Sequence, residues 1–422
     1  MDGKVDNIDD YKMKKKRIKK TRRKSGLNKV FDRYYNTYDY LLLCIIIVFA
    51  IFGTLIMYSA AGEEFMIKHA RWYAIGFGMM ILLALINPSA ETIRGRLIIF
   101  KNSEKNMIYH YFPTWFLGIA LILQVLVLFV GVEINYSRRW FQIGSITIQP
   151  AEISKIAVIV ALAYLIALDV DLQKRKVYWI IFGTAILLDF VLIAKENLSS
   201  GLIVLMIAFG MILTITKRKW IFPVLIVVAV LGFLVIKDTD LIIQTESSNA
   251  QVVQESGDYR SGRLKMWKKI DKYEITDYEA RDSQVIQGLC AIASGGMFGK
   301  GIGQGIQKFS VPENYNDMIF VVIFEELGIV GAMVVMLLYI LMIWRIAVIG
   351  IWSQSKFQSM ICFGVMLHMM FQVMLNLAVV TNFFPNTGIS LPLLSYGGTA
   401  TVLQMFELGM VLLISKTVKH KY

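Results

Sequence analysis

The feature that most constrains this chain is a series of long apolar runs separated by short polar segments. A helix needs about 20 apolar residues to cross the roughly 30 Å of hydrocarbon in a bilayer. Only helices and closed barrels satisfy their backbone groups there, and runs of this length favour helices. The chain is 56% hydrophobic with a mean hydropathy of +0.57, which excludes an ordinary soluble protein. The sequence therefore predicts an all-α integral membrane protein.

Ten of the runs qualify as membrane spans. They cover residues 40–59, 72–86, 113–130, 151–168, 177–194, 198–214, 220–236, 317–344, 357–381 and 399–414. A long hydrophilic segment, residues 237–316, separates the seventh span from the eighth. We therefore predict one polytopic domain over residues 40–415, flanked by tails at residues 1–39 and 416–422. The first apolar run is too long for a signal peptide and lacks a small-residue cleavage site.

Basic residues predict how the spans are oriented. If ten spans alternate, the basic clusters fall on one side, in both tails and at residues 94–105, 174–176 and 217–219. Short segments rich in Lys and Arg stay in the cytoplasm, so both termini are predicted to be cytoplasmic and residues 237–316 external. The composition of the first tail is typical of a disordered segment attracted to anionic lipid. The formal charge of +13 therefore reflects topology, and no nucleic-acid partner is expected.

Residues 294–331 combine a glycine-rich loop, a proline and an apolar run that begins at Met318. Asp317 stands where the loop enters this run, and Glu325 and Glu326 lie inside it. An ionised side chain in hydrocarbon costs at least a few kcal/mol and by default indicates function. The loop lacks the Gly-Lys-Ser/Thr ending of a nucleotide P-loop and follows no strand. We interpret it as a loop that approaches a headgroup.

Three other polar segments reach the predicted outer face. In the first, two guanidinium groups beside an indole suit a phosphate attached to a lipid; this segment contains Arg138, Arg139, Trp140, Gln149, Glu152 and Lys155. Glu152 and Lys155 share a helix face and could instead simply pair with each other. Residues 196–201 are as consistent with a helix cap as with a substrate contact. Residues 385–399, with two prolines and three glycines, are predicted to form a packed, non-helical turn.

The three cysteines, Cys44, Cys290 and Cys362, do not suggest a disulfide framework. Two of them fall inside apolar spans, where a cysteine serves as a small core residue.

Taken in order, these motifs resemble the SEDS family, which comprises FtsW, RodA and SpoVE. The resemblance is carried by Tyr38-Asp39-Tyr40, Met57-Tyr58-Ser59-Ala60, Arg138-Arg139-Trp140, Gln149-Pro150-Ala151-Glu152, residues 294–331 and residues 387–399. It implies a ten-helix bundle of SEDS type that polymerises lipid II at the outer face of the cytoplasmic membrane. It also implies a class B penicillin-binding protein as partner, with other divisome or elongasome membrane proteins. The basic tail and residues 384–388 look more like the FtsW branch than the RodA branch.

The resemblance assigns catalysis to Asp317. A family motif similar to Pro-Glu-Ala-His-Thr-Asp-Phe-Ile-Phe reads Pro-Glu-Asn-Tyr-Asn-Asp-Met-Ile-Phe over residues 312–320. The candidate substrate-binding residues are Arg138, Arg139, Trp140, Gln149, Glu152, Lys155, Lys308, Glu313, Ser395 and Tyr396. Residues 195–200 and 397–400 depart from the family pattern, which weakens any role for the turn between spans five and six. No cofactor is assigned, and a requirement for a divalent cation, Mg²⁺ or Mn²⁺, stays open.

Three alternatives stay open from the residues alone. A lipid II flippase would bind near the bilayer midplane, where Asp189, Glu325, Glu326 and Glu407 could serve it. A scaffold that only recruits the penicillin-binding protein would leave Asp317 dispensable. Asp317 could also be no more than the N-cap of its helix.

Overall fold

The computed structural model describes residues 38–85, 107–134, 137–144, 146–167, 172–214, 267, 270, 283–353 and 355–418. These residues form a helical bundle with one small sheet. The helices are α1 (Tyr40–Ala61), α2 (Glu63–Leu85), α3 (Met107–Val130), α4 (Pro150–Ala167), α5 (Leu172–Glu196), α6 (Leu198–Leu213), α7 (Gln284–Gly295), α8 (Ile319–Trp352), α9 (Lys356–Val380) and α10 (Thr399–Ser415). The strands are β1 (Val132–Ile134), β2 (Ser137–Ile143) and β3 (Ile146–Ile148).

The predicted helical membrane fold is confirmed. Six of the described helices are long and apolar enough to cross a membrane, namely α1, α3, α4, α5, α8 and α9. Helices α6 and α10 are apolar but shorter. Helix α2 contains most of the second predicted span, residues 72–86, but begins nine residues earlier, at Glu63. The predicted seventh span, residues 220–236, lies outside the described residues, as do residues 1–37, 419–422 and most of 237–282. The count of ten spans therefore stays a prediction.

Helix α4 forms the centre of the bundle. Every residue of α4 except Ile153 is buried, and α3, α5, α6, α9 and α10 pack around it. Its alanines let neighbouring helices approach closely, as small residues do in membrane bundles. Because α4 is enclosed on all sides, the polar residues near its first turn lie inside protein.

Residues 131–149, predicted as a loop, contain an antiparallel sheet in the order β1-β2-β3. Strands β2 and β3 pair through Phe141 with Ile148 and Gln142 with Thr147. Gly144, at φ +63, supplies the positive φ that a tight hairpin turn requires. The Thr399 hydroxyl donates to the Thr147 carbonyl oxygen at 2.9 Å, which ties the sheet to the start of α10.

The long loop is not entirely irregular, since its last part contains α7 and a short 3₁₀ helix at Gln307–Ser310. The Ser283 side chain caps α7 by accepting from the Ile286 N–H at 3.4 Å. Apolar residues at helical spacing face α8, including Val285, Leu289 and Ile292. This periodicity could have predicted the helix.

Helix α8 is broken at Gly328, which has φ 68 and ψ −169. The break frees backbone groups that would otherwise bond within the helix, and such groups need other partners when buried. The Ile329 N–H donates to the Gly296 carbonyl oxygen, and the Val330 N–H to that of Met297, both at 3.1 Å. The glycine-rich loop therefore supplies acceptors to the second half of α8.

The same loop supplies donors to the first half of α8. The carbonyl oxygen of Glu325 accepts from the Lys300 N–H at 3.0 Å, and that of Glu326 from the Gly301 N–H at 2.9 Å. A Cβ on Gly299 would lie 2.2 Å from the Glu326 carbonyl oxygen. Only glycine fits this approach, so loop and broken helix form one interlocked unit.

Candidate active site

Asp317 is held just before the start of α8 by two side-chain amides. Its carboxylate oxygen Oδ1 accepts from Gln284 Nε2 at 3.3 Å, and its carbonyl oxygen accepts from Asn376 Nδ2 at 2.7 Å. Only 8% of Asp317 is exposed. The N-cap of α8 is Met318, so Asp317 precedes the cap position. The geometry therefore favours a held carboxylate over a simple helix cap.

The same two amides also hold the non-helical turn before α10. Gln284 Oε1 accepts from Asn386 Nδ2 at 2.6 Å, and Asn376 Nδ2 also donates to the Ile389 carbonyl oxygen at 2.7 Å. Gln284 Nε2 donates in addition to the Pro312 carbonyl oxygen at 2.7 Å. The site is thus assembled from α7, α9 and two loops. The prediction that residues 385–399 form a packed, non-helical turn agrees with the structure.

Lys155 of α4 contacts α9 at Gln372, one helical turn before Asn376. Its Nζ is 2.6 Å from Glu152 Oε1 and donates to Gln372 Oε1 at 3.4 Å. Gln372 Nε2 donates in turn to the Ser390 carbonyl oxygen at 3.0 Å. Gln372 precedes Asn376 by four residues, about 6 Å along a helix. The pairing of Glu152 with Lys155 is therefore real, and it forms part of a network that reaches the surroundings of Asp317.

Arg138, Arg139 and Trp140 lie on β2. Arg138 is exposed, its N–H donates to Glu196 Oε2 at 3.0 Å, and its Nε is 3.5 Å from Glu133 Oε2. The Arg139 guanidinium is 5.9 Å from the centroid of the Trp140 ring. Strand β2 carries both side chains and contacts α3, α4 and α5. Residues 196–201 include a helix cap, since the Asn197 side chain accepts from the Ser200 N–H at 3.2 Å.

Lys308 is buried and binds other side chains of the protein. Only 1% of it is exposed, and its Nζ is 2.5 Å from Glu326 Oε1 and 2.7 Å from the Ser59 hydroxyl oxygen. The Ser59 hydroxyl also donates to Glu326. This cluster joins the C-terminal end of α1 to α8.

The remaining candidate residues differ in their surroundings. The buried Ser395 hydroxyl oxygen accepts from the Leu391 N–H at 2.7 Å and closes a turn. Tyr396 is half-buried, its ring centroid is 6.1 Å from that of Tyr315, and its N–H donates to the Tyr315 carbonyl oxygen at 2.9 Å. Burial, and then the neighbouring Glu313 carboxylate, raise the pKa of Tyr315, which keeps this phenol neutral.

Two other predicted contacts lie at the surface of the site. Glu313 is exposed and accepts a hydrogen bond from the Asn316 side chain. Gln149 is half-buried directly before α4, and its carbonyl oxygen accepts from the Glu152 N–H at 3.2 Å. All ten substrate-binding assignments stay predictions.

The family model for the cell cycle proteins FtsW, RodA and SpoVE matches residues 37–420 of this chain. The chain belongs to the FtsW/RodA/SpoVE family. Stage V sporulation protein E of Bacillus subtilis is 28% identical over 392 residues, which cover 90% of this chain and 97% of that protein. A protein named probable peptidoglycan glycosyltransferase FtsW, from Thioalkalivibrio, is 32% identical over 311 residues, or 71% of each chain. The resemblance predicted from the motifs is confirmed.

Solved structures show the same FtsW/RodA/SpoVE fold. A chain from a study of "structural coordination of polymerization and crosslinking by a peptidoglycan synthase complex" has a TM-score of 0.67, with 23% identity over 90% of this chain and 98% of that chain. The rod shape determining protein RodA of Thermus thermophilus has a TM-score of 0.61, with 21% identity over 91% of this chain and 99% of that one. These structures support the helical membrane architecture.

Two polar junctions join α1 to α8 in this FtsW/RodA/SpoVE bundle. At one end of α1, Asp39 Oδ2 is 2.7 Å from Arg345 Nε of α8. At the other end, Ser59 meets Glu326 and Lys308. At a rise of 1.5 Å per residue, the two junctions are about 30 Å apart along α1. This separation is similar to the hydrocarbon thickness of a bilayer.

Asp317 lies on the side of Glu326 away from the apolar length of α8. Ile319, where α8 begins, precedes Glu326 by seven residues (326 − 319), about 10 Å along the helix. Asp317 lies two residues before Ile319, and Lys155 contacts α9 one turn from the Asn376 that holds Asp317.

Sequence reasoning missed Gln284, Gln372 and Asn376. A sequence signal was present for Gln372 and Asn376, which are amides four residues apart in an apolar span. A buried polar side chain in a membrane needs a hydrogen-bond partner, so this pair could have been predicted to bind other polar groups.

Among the described residues, no group of three or more His, Cys, Asp or Glu side chains could hold a metal ion.

Proposed function

We propose that this protein is a peptidoglycan glycosyltransferase that polymerises lipid II at the outer face of the bacterial cytoplasmic membrane. One observation carries the proposal: Gln284 holds the enclosed Asp317 carboxylate just before α8, on the side of the Ser59–Glu326 junction away from the apolar length of that helix. With that junction at the surface of the hydrocarbon, a sugar joined to a membrane lipid through a pyrophosphate would present its reacting atoms near Asp317. Family members named as peptidoglycan glycosyltransferases support the same reaction.

Asp317 acts as the general base in this proposal. The acceptor's sugar hydroxyl oxygen bonds to the anomeric carbon of a second lipid-linked sugar, and the bond from that carbon to the pyrophosphate oxygen breaks. The hydroxyl proton passes to the Asp317 carboxylate, and the lipid pyrophosphate leaves with the electron pair. A carboxylate is too weak a base to ionise an alcohol beforehand, so proton transfer accompanies attack. Gln284 and Asn376 keep the carboxylate in place for this step.

The cationic groups are assigned to the departing pyrophosphate. Arg138 and Arg139 present guanidinium forks on the external sheet, and such forks bind phosphate oxygens in a bidentate manner. Lys155, whose charge is balanced by Glu152, would add an N–H donor one turn of α9 from Asn376. Stabilising the leaving group in this way lowers the barrier most when charge develops in the transition state.

A class B penicillin-binding protein is the proposed partner, since the solved complex that shares this fold is described as coordinating polymerisation with crosslinking. Both termini are placed in the cytoplasm by the distribution of basic residues. FtsW proteins and stage V sporulation protein E match this chain at similar identity. The process served, whether division, elongation or sporulation, is therefore left unassigned.

The decisive experiment replaces Asp317 by asparagine. Asp317→Asn keeps the size and the hydrogen-bonding capacity but cannot take the proton, so polymerisation of purified lipid II should fall by at least about 100-fold. Glu64→Gln, which neutralises an exposed carboxylate of α2, is the matched control and should retain activity. Near-parental rates from folded Asp317→Asn would favour a scaffold and refute the proposal.

Detergent separates the enzyme from a transporter. In detergent micelles no two compartments exist, so polymer formed there cannot arise from flipping. If the parental protein and its partner give no polymer in detergent but move lipid II across vesicle membranes, the transporter is the correct function.

A further inference from the structure

The loop between α7 and α8 carries large apolar side chains on its surface. Within thirteen residues, the exposed fractions are 63% for Met297, 77% for Phe298, 44% for Ile302, 72% for Ile306 and 72% for Phe309. Apolar area of this size is rarely left facing water. The loop is not a predicted span, and its glycines prevent a long helix. Its side chains therefore require an apolar environment beside the protein.

The exposure of these side chains is built into the fold. The N–H groups of Ile306, Gln307 and Lys308 all donate to the Glu325 carboxylate at 2.7 to 2.8 Å. Lys300 Nζ binds the same carboxylate at 2.8 Å. A loop fixed by four donors to one buried acceptor cannot easily turn its apolar side chains inward.

The loop is continuous with the lipid-facing side of α8. Its carbonyl groups at Gly296 and Met297 accept from Ile329 and Val330, the first residues after the break. Ile329 is itself exposed and begins an outward row that continues with Met333, Val334, Leu337 and Ile340. Residues 329–352 alone measure about 36 Å along the helix, enough to cross the hydrocarbon. The loop thus lies where this row meets the outer boundary.

We propose that residues 297–309 form an interfacial anchor immersed in the outer leaflet. The exposed side chains would lie among the upper methylenes of the lipid acyl chains. Gln304 and Gln307 of the same loop are exposed and would reach the headgroups. The occupant of this surface is lipid, because the surface continues a lipid-facing row at the same depth.

The anchor also fixes the height of the candidate site. The Lys308 carbonyl oxygen accepts from Asn314 Nδ2 at 2.9 Å, and the same amide donates to the Ala60 carbonyl oxygen at 3.2 Å. Asn314 lies three residues before Asp317 in the segment that leads into α8. Immersion of the loop would therefore set how far Asp317 stands above the bilayer. The lipid contact itself does not depend on the proposed reaction.

The test measures contact with lipid in the purified chain without a partner. Phe298→Trp and Phe309→Trp are reconstituted in nanodiscs of phosphatidylcholine with either plain or brominated acyl chains, and fluorescence quenching is compared. The chain already has 8 tryptophans, so the signal is the difference from the parent. Met333→Trp, on the lipid-facing row of α8, is the immersed control. Gln142→Trp, on the exposed hairpin, is the aqueous control.

Quenching of the introduced tryptophan at position 298 or 309 should approach that of Met333→Trp and exceed that of Gln142→Trp by roughly two-fold or more. Two positions are used so that a single misfolded variant does not decide the result, and each protein is first shown to be monodisperse. Quenching of either variant at the immersed level supports the anchor. If both resemble Gln142→Trp, the loop faces water or awaits a protein partner, and the proposal is wrong.

Discussion

Glu325 and Glu326 show how charged residues are kept in an apolar helix. Both are fully buried, and each is bonded to a lysine of the loop, Glu325 to Lys300 and Glu326 to Lys308. The sequence suggested that such charges could serve transport at the membrane midplane. In the structure their carboxylates bind the loop between α7 and α8, and they lock this loop to α8. These ion pairs give Glu325 and Glu326 a structural role, so the two carboxylates no longer favour a flippase.

At the residue scale, Gln284 is the strongest positioning candidate around Asp317. Gln284→Ala removes the amide that joins Asp317, Pro312 and Asn386, so polymerisation should fall by about tenfold or more. Gln304→Ala, an exposed glutamine of the neighbouring loop, is the matched control. The measurement compares kcat and KM, because loss of alignment should lower kcat at similar KM. An unchanged kcat in folded Gln284→Ala would show that the amide does not position the carboxylate.

Arg139 offers a second test at this scale. Arg139→Lys keeps the positive charge but loses the bidentate fork, so most of the polymerisation rate should be lost at normal protein abundance. The corresponding change at Arg345, which pairs with Asp39 at the opposite end of the bundle, should leave the rate nearly intact if the protein folds. Near-normal rates for both Arg138→Ala and Arg139→Ala would remove phosphate binding from the mechanism.

At the scale of elements, the apolar runs predicted the helices well but not the break in α8. Hydropathy over residues 319–352 is high throughout, and it contains no signal that Gly328 adopts a positive φ. The break depends on partners from residues 295–301, which come close to Gly328 only when the chain folds. The hairpin at β2 and β3 was missed for a related reason. Its short strands lie between two long spans, so they were read as part of a connecting loop.

The prediction at the scale of elements concerns Gly328, where α8 is broken. In Gly328→Ala, the new Cβ would lie 2.4 Å from the Gly299 nitrogen and the Met297 carbonyl oxygen, at a φ that alanine disfavours. We expect a loss of about 1 to 3 kcal/mol or more in unfolding free energy, seen as a lower Tm in detergent. Gly183→Ala is the control, since a Cβ there has no neighbour within 4 Å. An unchanged Tm for Gly328→Ala would contradict the interlocked geometry.

At the scale of the whole molecule, the site depends on contacts that no single segment contains. Asp317 could be identified from its motif, and the convergence of outer polar segments could be predicted by alternating the spans. The hydrogen bonds of Gln284 and Asn376 could not be predicted, because they join α7, α9 and two loops. Two of the bonded residues, Gln284 and Asn386, are 102 residues apart in the chain. The resemblance assigned a role to Asp317, whereas only the assembled bundle shows what holds it.

The orientation of the whole bundle yields the final prediction. If the Asp39–Arg345 junction faces the cytoplasm, the hairpin at β2 and β3 is external and the connection between α8 and α9 is internal. In a background with the exposed Cys44 and Cys290 replaced by alanine, an impermeant thiol reagent should label Gln142→Cys in intact cells. It should label Lys356→Cys only after lysis, because both positions are exposed but on opposite sides. The positive-inside distribution of basic residues requires this order. Labelling of Lys356→Cys in intact cells, with Gln142→Cys protected, would invert the bundle and place Asp317 on the side away from the proposed substrate.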